Sequence, residues 1–160
     1  MDLGNLVVVS VILPVYNGGG FIGEAINSIL NQTYNNFELV IINDGSIDDS
    51  EKVIKEFKDD RIRYFSFGEN RGLVASLNFG IEKAQGKYIA RIDADDISAT
   101  NRLEEQVNFF ENSPEYVILG TSVELIPSGK IKVPPLIDQE IKLGLVFNNV
   151  FYHSTVMFRS

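Results

Sequence analysis

The sequence contains no cysteine, which excludes disulfides and thiolate metal centres and fits a cytoplasmic setting. It has no apolar run near the roughly 20 residues that cross a bilayer. The longest, Leu6 to Val15, is already interrupted by Ser10 and Pro14. Met1-Asp2-Leu3-Gly4 lacks a basic leader, so no secretory signal is expected. Basic residues are in deficit: 14 Lys plus Arg stand against 22 Asp plus Glu, a net charge of −8. Such a chain is a poor ligand for nucleic acid or anionic lipid. It can still take an anionic small molecule where a metal ion mediates. Internal repeats and low-complexity tracts are also missing.

What remains is an alternation. Apolar runs rich in Val, Ile and Phe are separated by segments of helical period. Strands are expected at Leu6–Leu13, Phe37–Ile42, Arg61–Phe67 and Lys87–Ile92. Helices are expected over 21–32, from Asp48-Asp49-Ser50 onward, over Leu73–Ala84 with Gly86 as the C-terminal cap, and from a Thr100 or Asn101 cap to about Asn112. Four strand–helix pairs in succession predict an α/β fold: an open, mostly parallel sheet with helices on both faces. After Pro114 the rhythm loosens. One or two strands are expected in Tyr116–Ile126, a turn at Pro127–Lys130, a short helix over 138–147 and a last strand at Ser154–Phe158. The 160 residues suit one domain. The chain stops two residues after that strand, so the domain is expected to be truncated at its C-terminus.

Gly18, Gly20 and Gly23 spell G-x-G-x-x-G, the dinucleotide fingerprint. In that motif the first glycine follows the strand almost at once. Here Pro14, Val15, Tyr16 and Asn17 intervene, and proline supplies no N–H. An acidic residue about 20 positions beyond the last glycine holds the ribose in such sites, and Asp44 has that spacing. A nicotinamide-dependent oxidoreductase therefore stays open as an alternative, with a turn that uses glycine for backbone reasons as the better reading.

Ligands of open α/β sheets bind at the carboxyl ends of the strands. Three polar clusters fall there: Pro14-Tyr16-Asn17, Asn43-Asp44-Gly45-Ser46 and Asp93-Ala94-Asp95-Asp96. The last holds three carboxylates in four residues, which repel one another unless a cation or donors compensate. In extended backbone Asp93 and Asp95 would point the same way, about 7 Å apart. That suits a hard divalent ion such as Mg²⁺, which takes one or two protein carboxylates and completes its shell with water and phosphate. Arg91 stands two residues before Asp93 and is expected to form a salt bridge with it.

The segments VSVILPVYNGGGFIGEAINSILNQTYNNFELVIINDGSIDDS, NRGLVASLNFGIEKAQGKYIARIDADDIS and HSTVMFR resemble glycosyltransferase family 2, the inverting enzymes of GT-A fold. The order P-V-Y-N, N-D-G-S, N-x-G-x-x-x-x-x-N, D-A-D-D carries the resemblance. It implies a Rossmann-like GT-A domain and a nucleotide-sugar donor, with uridine diphosphate expected first. Donor contacts would fall to Pro14, Val15, Tyr16, Asn17, Asp44, Arg71, Asp93, Ala94 and Asp95, with Tyr16 against the base and Asp44 on its ring N–H. Mg²⁺ or Mn²⁺ would be held by Asp95, with Asp96 as the alternative ligand. Asn78, expected to face inward on its helix, and His153, the only histidine, are further candidates.

The implied reaction moves a sugar to a carbohydrate or glycoconjugate hydroxyl with inversion, in polysaccharide or glycoconjugate synthesis. The general base is expected beyond Ser160, so none is named. The family commonly has proline after D-A-D-D, where this chain has Ile97-Ser98-Ala99-Thr100; Thr100 can cap instead. Rivals are the oxidoreductase, a non-catalytic nucleotide-sugar-binding domain, and a sugar nucleotidyltransferase, whose G-x-G-T-R loop does not occur here. The expected station is cytoplasmic, in solution or at the cytoplasmic face of a membrane.

Overall fold

The computed structural model describes residues 7–160. Leu6 and the leader Met1–Gly4 lie outside the described residues. The elements run β1 (Val9–Val15), α1 (Ile22–Leu30), β2 (Phe37–Asn43), α2 (Ser50–Glu56), β3 (Ile62–Ser66), α3 (Leu73–Lys83), β4 (Tyr88–Arg91) and α4 (Arg102–Asn112). Then come β5 (Ile118–Leu119), β6 (Val123–Leu125), β7 (Lys130–Lys132), α5 (Asp138–Leu145), a 3₁₀ turn (His153–Thr155) and β8 (Met157–Arg159). One sheet has the order β3-β2-β1-β4-β8-β5. Its first four strands are parallel, and β8 pairs antiparallel to both β4 and β5. A separate hairpin joins β6 to β7. The mixed, mostly parallel sheet matches the sequence reading.

The period of two within the strands decides what each face covers. Val9, Val11, Leu13 and Val15 of β1 point to one side, with Leu39 and Ile41 of β2. There they meet Ile22, Ala25, Ile26 and Ile29 of α1, Ile54 of α2, and Leu103, Val107 and Phe110 of α4. Ile12, Val40, Ile42 and Ile89 point to the other side, against Leu77 and Phe79 of α3. Each such side chain, fully buried, contributes about 1.5–3 kcal/mol against leaving it in water. Two polar residues interrupt these apolar strands, Ser10 and Glu38. Both are buried and tied together: the Ser10 hydroxyl donates to Glu38, which also accepts from Arg63 and the Gln85 amide.

Several boundaries differ from expectation: the last strand is Met157–Arg159, with Ser154 and Thr155 in the 3₁₀ turn, and Asn101 stands at the start of α4 without a side-chain cap hydrogen bond. β1 continues through Pro14 to Val15. Alternate residues of β1 bond to opposite neighbours, and Ile12 faces β4, accepting the Ile92 amide. Pro14 therefore also faces that side, but β4 has ended by then. Its missing N–H leaves no partner unsatisfied. Gly86 is not the C-terminal cap of α3; Ala84 ends the helix in extended backbone. Gly86 instead crosses β1 so closely that a Cβ there would lie 2.6 Å from the Ser10 nitrogen.

Candidate active site

Reversal of strand order at β1, with β2 on one flank and β4 on the other, opens a crevice at the carboxyl ends of the strands. Residues of two of the three polar clusters predicted from sequence border one cavity there; the third lines a separate cavity, and the two approach where Gly18 passes Ala94.

The tyrosine loop, residues 16–20, is bound to the loop that follows β2. Asn17 adopts a left-handed backbone, φ 52°. Its side-chain oxygen accepts the Ile47 amide at 2.9 Å, and its own amide donates to the Ser46 hydroxyl at 3.0 Å. The Gly18 amide donates to Ser50 and the Gly19 amide to Asp48, both at 2.9 Å. Those glycine amides, which a dinucleotide site would aim at pyrophosphate, are already spent on side chains. A Cβ at Gly18 would lie 2.9 Å from Val15 Cγ2 and 3.4 Å from the Ala94 Cβ. Glycine thus lets the tyrosine loop pass against the acidic turn. Hydrogen bonds from Ser50 and Gly19 favour the ionised form of Asp48 and hold its carboxyl below the usual aspartate value.

Asp44 is buried at the end of β2. Its two carboxylate oxygens accept the Arg71 amide at 2.8 Å and the Gly72 amide at 2.9 Å. The Asx turn of Asn43-Asp44-Gly45-Ser46 is made by Asn43, which accepts the Ser46 amide at 2.9 Å. Asp44 is therefore left to organise the loop before α3. Gly45, at φ 72°, lets the two loops touch, since a Cβ there would lie 2.5 Å from the Glu69 carbonyl carbon. Between them lies a cavity of about 220 Å³, lined by Pro14, Val15, Tyr16, Asp44, Asn70, Gly72, Leu73 and Ser76. Tyr16 is 49% exposed, a ring offered to solvent beside a buried carboxylate. The Arg71 guanidinium lies over the Phe67 ring, 4.5 Å from its centroid.

Asp93–Asp96 is a turn, not extended backbone: the Asp96 amide donates to the Asp93 carbonyl at 3.2 Å. The expected strand spacing of Asp93 and Asp95 does not apply, because β4 stops at Arg91. The expected salt bridge is present. Arg91 donates to one Asp93 oxygen through Nε at 3.1 Å and Nη2 at 2.7 Å. Asp93 is thus neutralised by its own strand, while Asp95 is exposed and Asp96 half-buried. Asp95 and Asp96 border a second cavity of about 550 Å³, whose far wall is Thr121–Ile126. Among the described residues no three His, Asp or Glu side chains gather as a closed metal cluster.

Asn78 is exposed, contrary to expectation. Ser76 and Gly80, one helical turn apart, are the buried positions of α3, which turns position 78 away from the sheet. His153 is exposed at the start of the 3₁₀ turn; its neighbours Ser154 and Thr155 line the larger cavity. The sequence reading passed over Arg102 and Ser76. Arg102 is buried in the first turn of α4 and donates to the carbonyls of Ser154 and Arg91, both at 3.0 Å. Burial lowers its pKa to about 10, with Asp96 acting in the opposite sense. A cation at a helix N-terminus opposes the helix dipole, which is the signal the sequence offered.

Residues 10–157 match the family model of glycosyl transferase family 2. The chain belongs to glycosyltransferase family 2. A family member of Haemophilus influenzae, described as an uncharacterized glycosyltransferase, is 35% identical over 170 residues, covering 98% of this chain and 53% of the relative. This chain thus spans about half of that relative's length. Among solved structures, S. aureus TarS 1-349 in complex with UDP-GlcNAc superposes with a TM-score of 0.79 at 21% identity, over 95% of this chain and 45% of TarS. The mannosyltransferase PcManGT of Pyrobaculum calidifontis, in complex with GDP-Man and Mn²⁺, gives 0.72 at 19%, over 94% and 44%. The likeness shows the GT-A fold. The family does not favour the oxidoreductase alternative.

Proposed function

We propose that this chain provides the donor site of a metal-assisted, inverting glycosyltransferase that takes a UDP-sugar and glycosylates a carbohydrate or glycoconjugate hydroxyl, in polysaccharide or glycoconjugate synthesis. One observation carries the reading. A half-exposed tyrosine and a buried carboxylate share one cavity, and the loop bearing that tyrosine packs against an aspartate turn at the neighbouring strand end. The uracil ring would lie on Tyr16, within the wall of Pro14 and Val15. Asp44, an acceptor only, would take the ring N–H. The diphosphate would then run toward Ala94 and the acidic turn, with Asn17 fixing the loop it passes. Arg71 stands at the mouth, where swinging off Phe67 would bring its fork to phosphate. UDP-GlcNAc in TarS supports the choice of nucleotide.

The donor set fits Mg²⁺ or Mn²⁺. It is oxygen only, and Arg91 already neutralises Asp93 through one of its oxygens. That leaves Asp95 and Asp96 as the one or two protein ligands such ions take beside phosphate and water. Bound there, the ion would offset charge growing on the departing nucleoside diphosphate. The Mn²⁺ of PcManGT points the same way. Neither Asn78 nor His153 is given a role, and no residue is assigned as general base.

A thermal-unfolding panel tests the proposal, because a ligand that binds only the folded state raises its stability. UDP with Mn²⁺ is expected to raise the midpoint more than CDP, and EDTA to remove most of the gain. No upward shift with UDP, GDP or CDP in the presence of Mn²⁺ or Mg²⁺ would overturn it. Release of UDP from a UDP-sugar, read separately, tests the transferase part against a mere binding module.

A further inference from the structure

Ser76 lies in the first turn of α3 and lines the smaller cavity together with Asp44 and Tyr16. It is fully buried, yet among the described residues its hydroxyl has no hydrogen-bond partner. The Gly72 carbonyl, one turn back, accepts the Ser76 amide but not its hydroxyl. A buried unpaired hydroxyl carries a desolvation cost that nothing in the free protein offsets. Alanine would fill the same place without that cost. Among the described residues, the other polar side chains lining this cavity are the Asp44 carboxylate, the Tyr16 phenol and the Asn70 carboxamide.

We infer that Ser76 is a specificity-determining residue for the nucleobase, its hydroxyl donating to a ring carbonyl that flanks the N–H taken by Asp44. The inference rests on the donor reading above. An ionised carboxylate can only accept, and a serine hydroxyl can donate. Side by side they match a base edge that offers N–H next to C=O. Uracil and guanine present that edge. Cytosine turns a ring lone pair toward the carboxylate, as adenine does, and so offers Asp44 no N–H to accept. The carboxylate thus rejects cytosine and adenine, and the hydroxyl fixes the base's register through its carbonyl, a code that stacking, which every base can satisfy, does not supply. Ser76 sits one turn before Gly80, whose close approach to the sheet fixes the depth of the helix and so the reach of the hydroxyl.

Calorimetry on the 160-residue chain with Mn²⁺ tests this, using UDP, 2-thio-UDP and 4-thio-UDP as probes. A thiocarbonyl accepts a hydrogen bond poorly. Wild type is expected to bind one of the two thio analogues about three- to tenfold more weakly than UDP, the worth of one neutral hydrogen bond. Ser76→Ala is expected to bind UDP weaker by a similar factor and to lose that discrimination. Without ligand it should unfold no earlier than wild type. Undiminished UDP binding by Ser76→Ala overturns the inference, as does an equal loss on all three probes, which would mark a packing role. If that variant does not fold, wild type alone decides: failure to distinguish either analogue from UDP overturns the inference. Failure of wild type to bind UDP at all brings down the donor reading and this inference together.

Discussion

Asp44 organises the loop before α3, and substitution separates that role from the base contact proposed for it. In Asp44→Asn one of the Arg71 and Gly72 amides loses Asp44 as its acceptor, because a carboxamide nitrogen must face an N–H, and both lose a charged partner; the Gly72 amide keeps the Asn70 side-chain oxygen at 2.9 Å. A loss of about 1–3 kcal/mol is expected in urea unfolding, and calorimetry should show UDP uptake falling further than that loss alone predicts. Asp48 is felt through pH. Its folded pKa lies below the unfolded value, so its contribution is complete above about pH 4 and disappears as pH falls through the lower, folded value. The stability gap between wild type and Asp48→Asn, under about 1 kcal/mol for so exposed a group, should be present at pH 7 and shrink as the pH falls below about 4 in thermal scans. Candidate residues were legible where side-chain type and strand end coincided, as at Tyr16, Asp44 and Asp95. Ser76 was not, because serine on the buried face of a helix looks like any small residue until its hydroxyl is seen to lack a partner. Asn78 was misplaced for the same reason: periodicity alone did not fix which face of α3 meets the sheet.

At the scale of elements, α3 is the part on which the smaller cavity depends. It brings Leu73 and Ser76 to the cavity and lies on β1 and β2 through Gly80. A Cβ at Gly80 would lie 2.5 Å from Ile12 Cγ2 and 3.0 Å from Ile42 Cδ1. Alanine favours helix over glycine by about 1 kcal/mol, but overpacking costs about 1–3 kcal/mol. Gly80→Ala is therefore expected to be less stable in urea titration. Its UDP affinity should drop as well, since the helix is pushed outward with its cavity-lining residues. Strands and helices were readable because two periods, near 2 and 3.6, are distinct over seven or more residues. Ends were less readable. Pro14 argued against strand, and only the early end of β4 makes proline harmless there. Gly86 looked like a cap, and its actual use, a close crossing of Ser10, belongs to tertiary structure.

The whole molecule carries a net charge of −8, so a diphosphate meets it uphill unless a cation intervenes. UDP affinity is expected to fall roughly tenfold or more when EDTA removes Mn²⁺, and a similar loss should follow Asp95→Asn with Asp96→Asn. Uridine, which has no phosphate, should bind weakly and equally with and without metal. Calorimetry with both ligands separates the smaller cavity's contribution from that of the acidic turn. The strand order was not legible beyond the fourth strand, since β8 and β5 are short and their pairing is set by distant chain. No helix among the described residues is long and apolar enough to cross a membrane. β8 joins β4 on the flank away from β1, buries Met157, and sends Arg159 across the rings of Tyr88 and Phe110. As the polypeptide leaves the ribosome, β4 must therefore wait as an unpaired rim, open to stray neighbours. The strand that leads into the acidic turn gains its second neighbour only when residues 157–159 have emerged and folded back beside it.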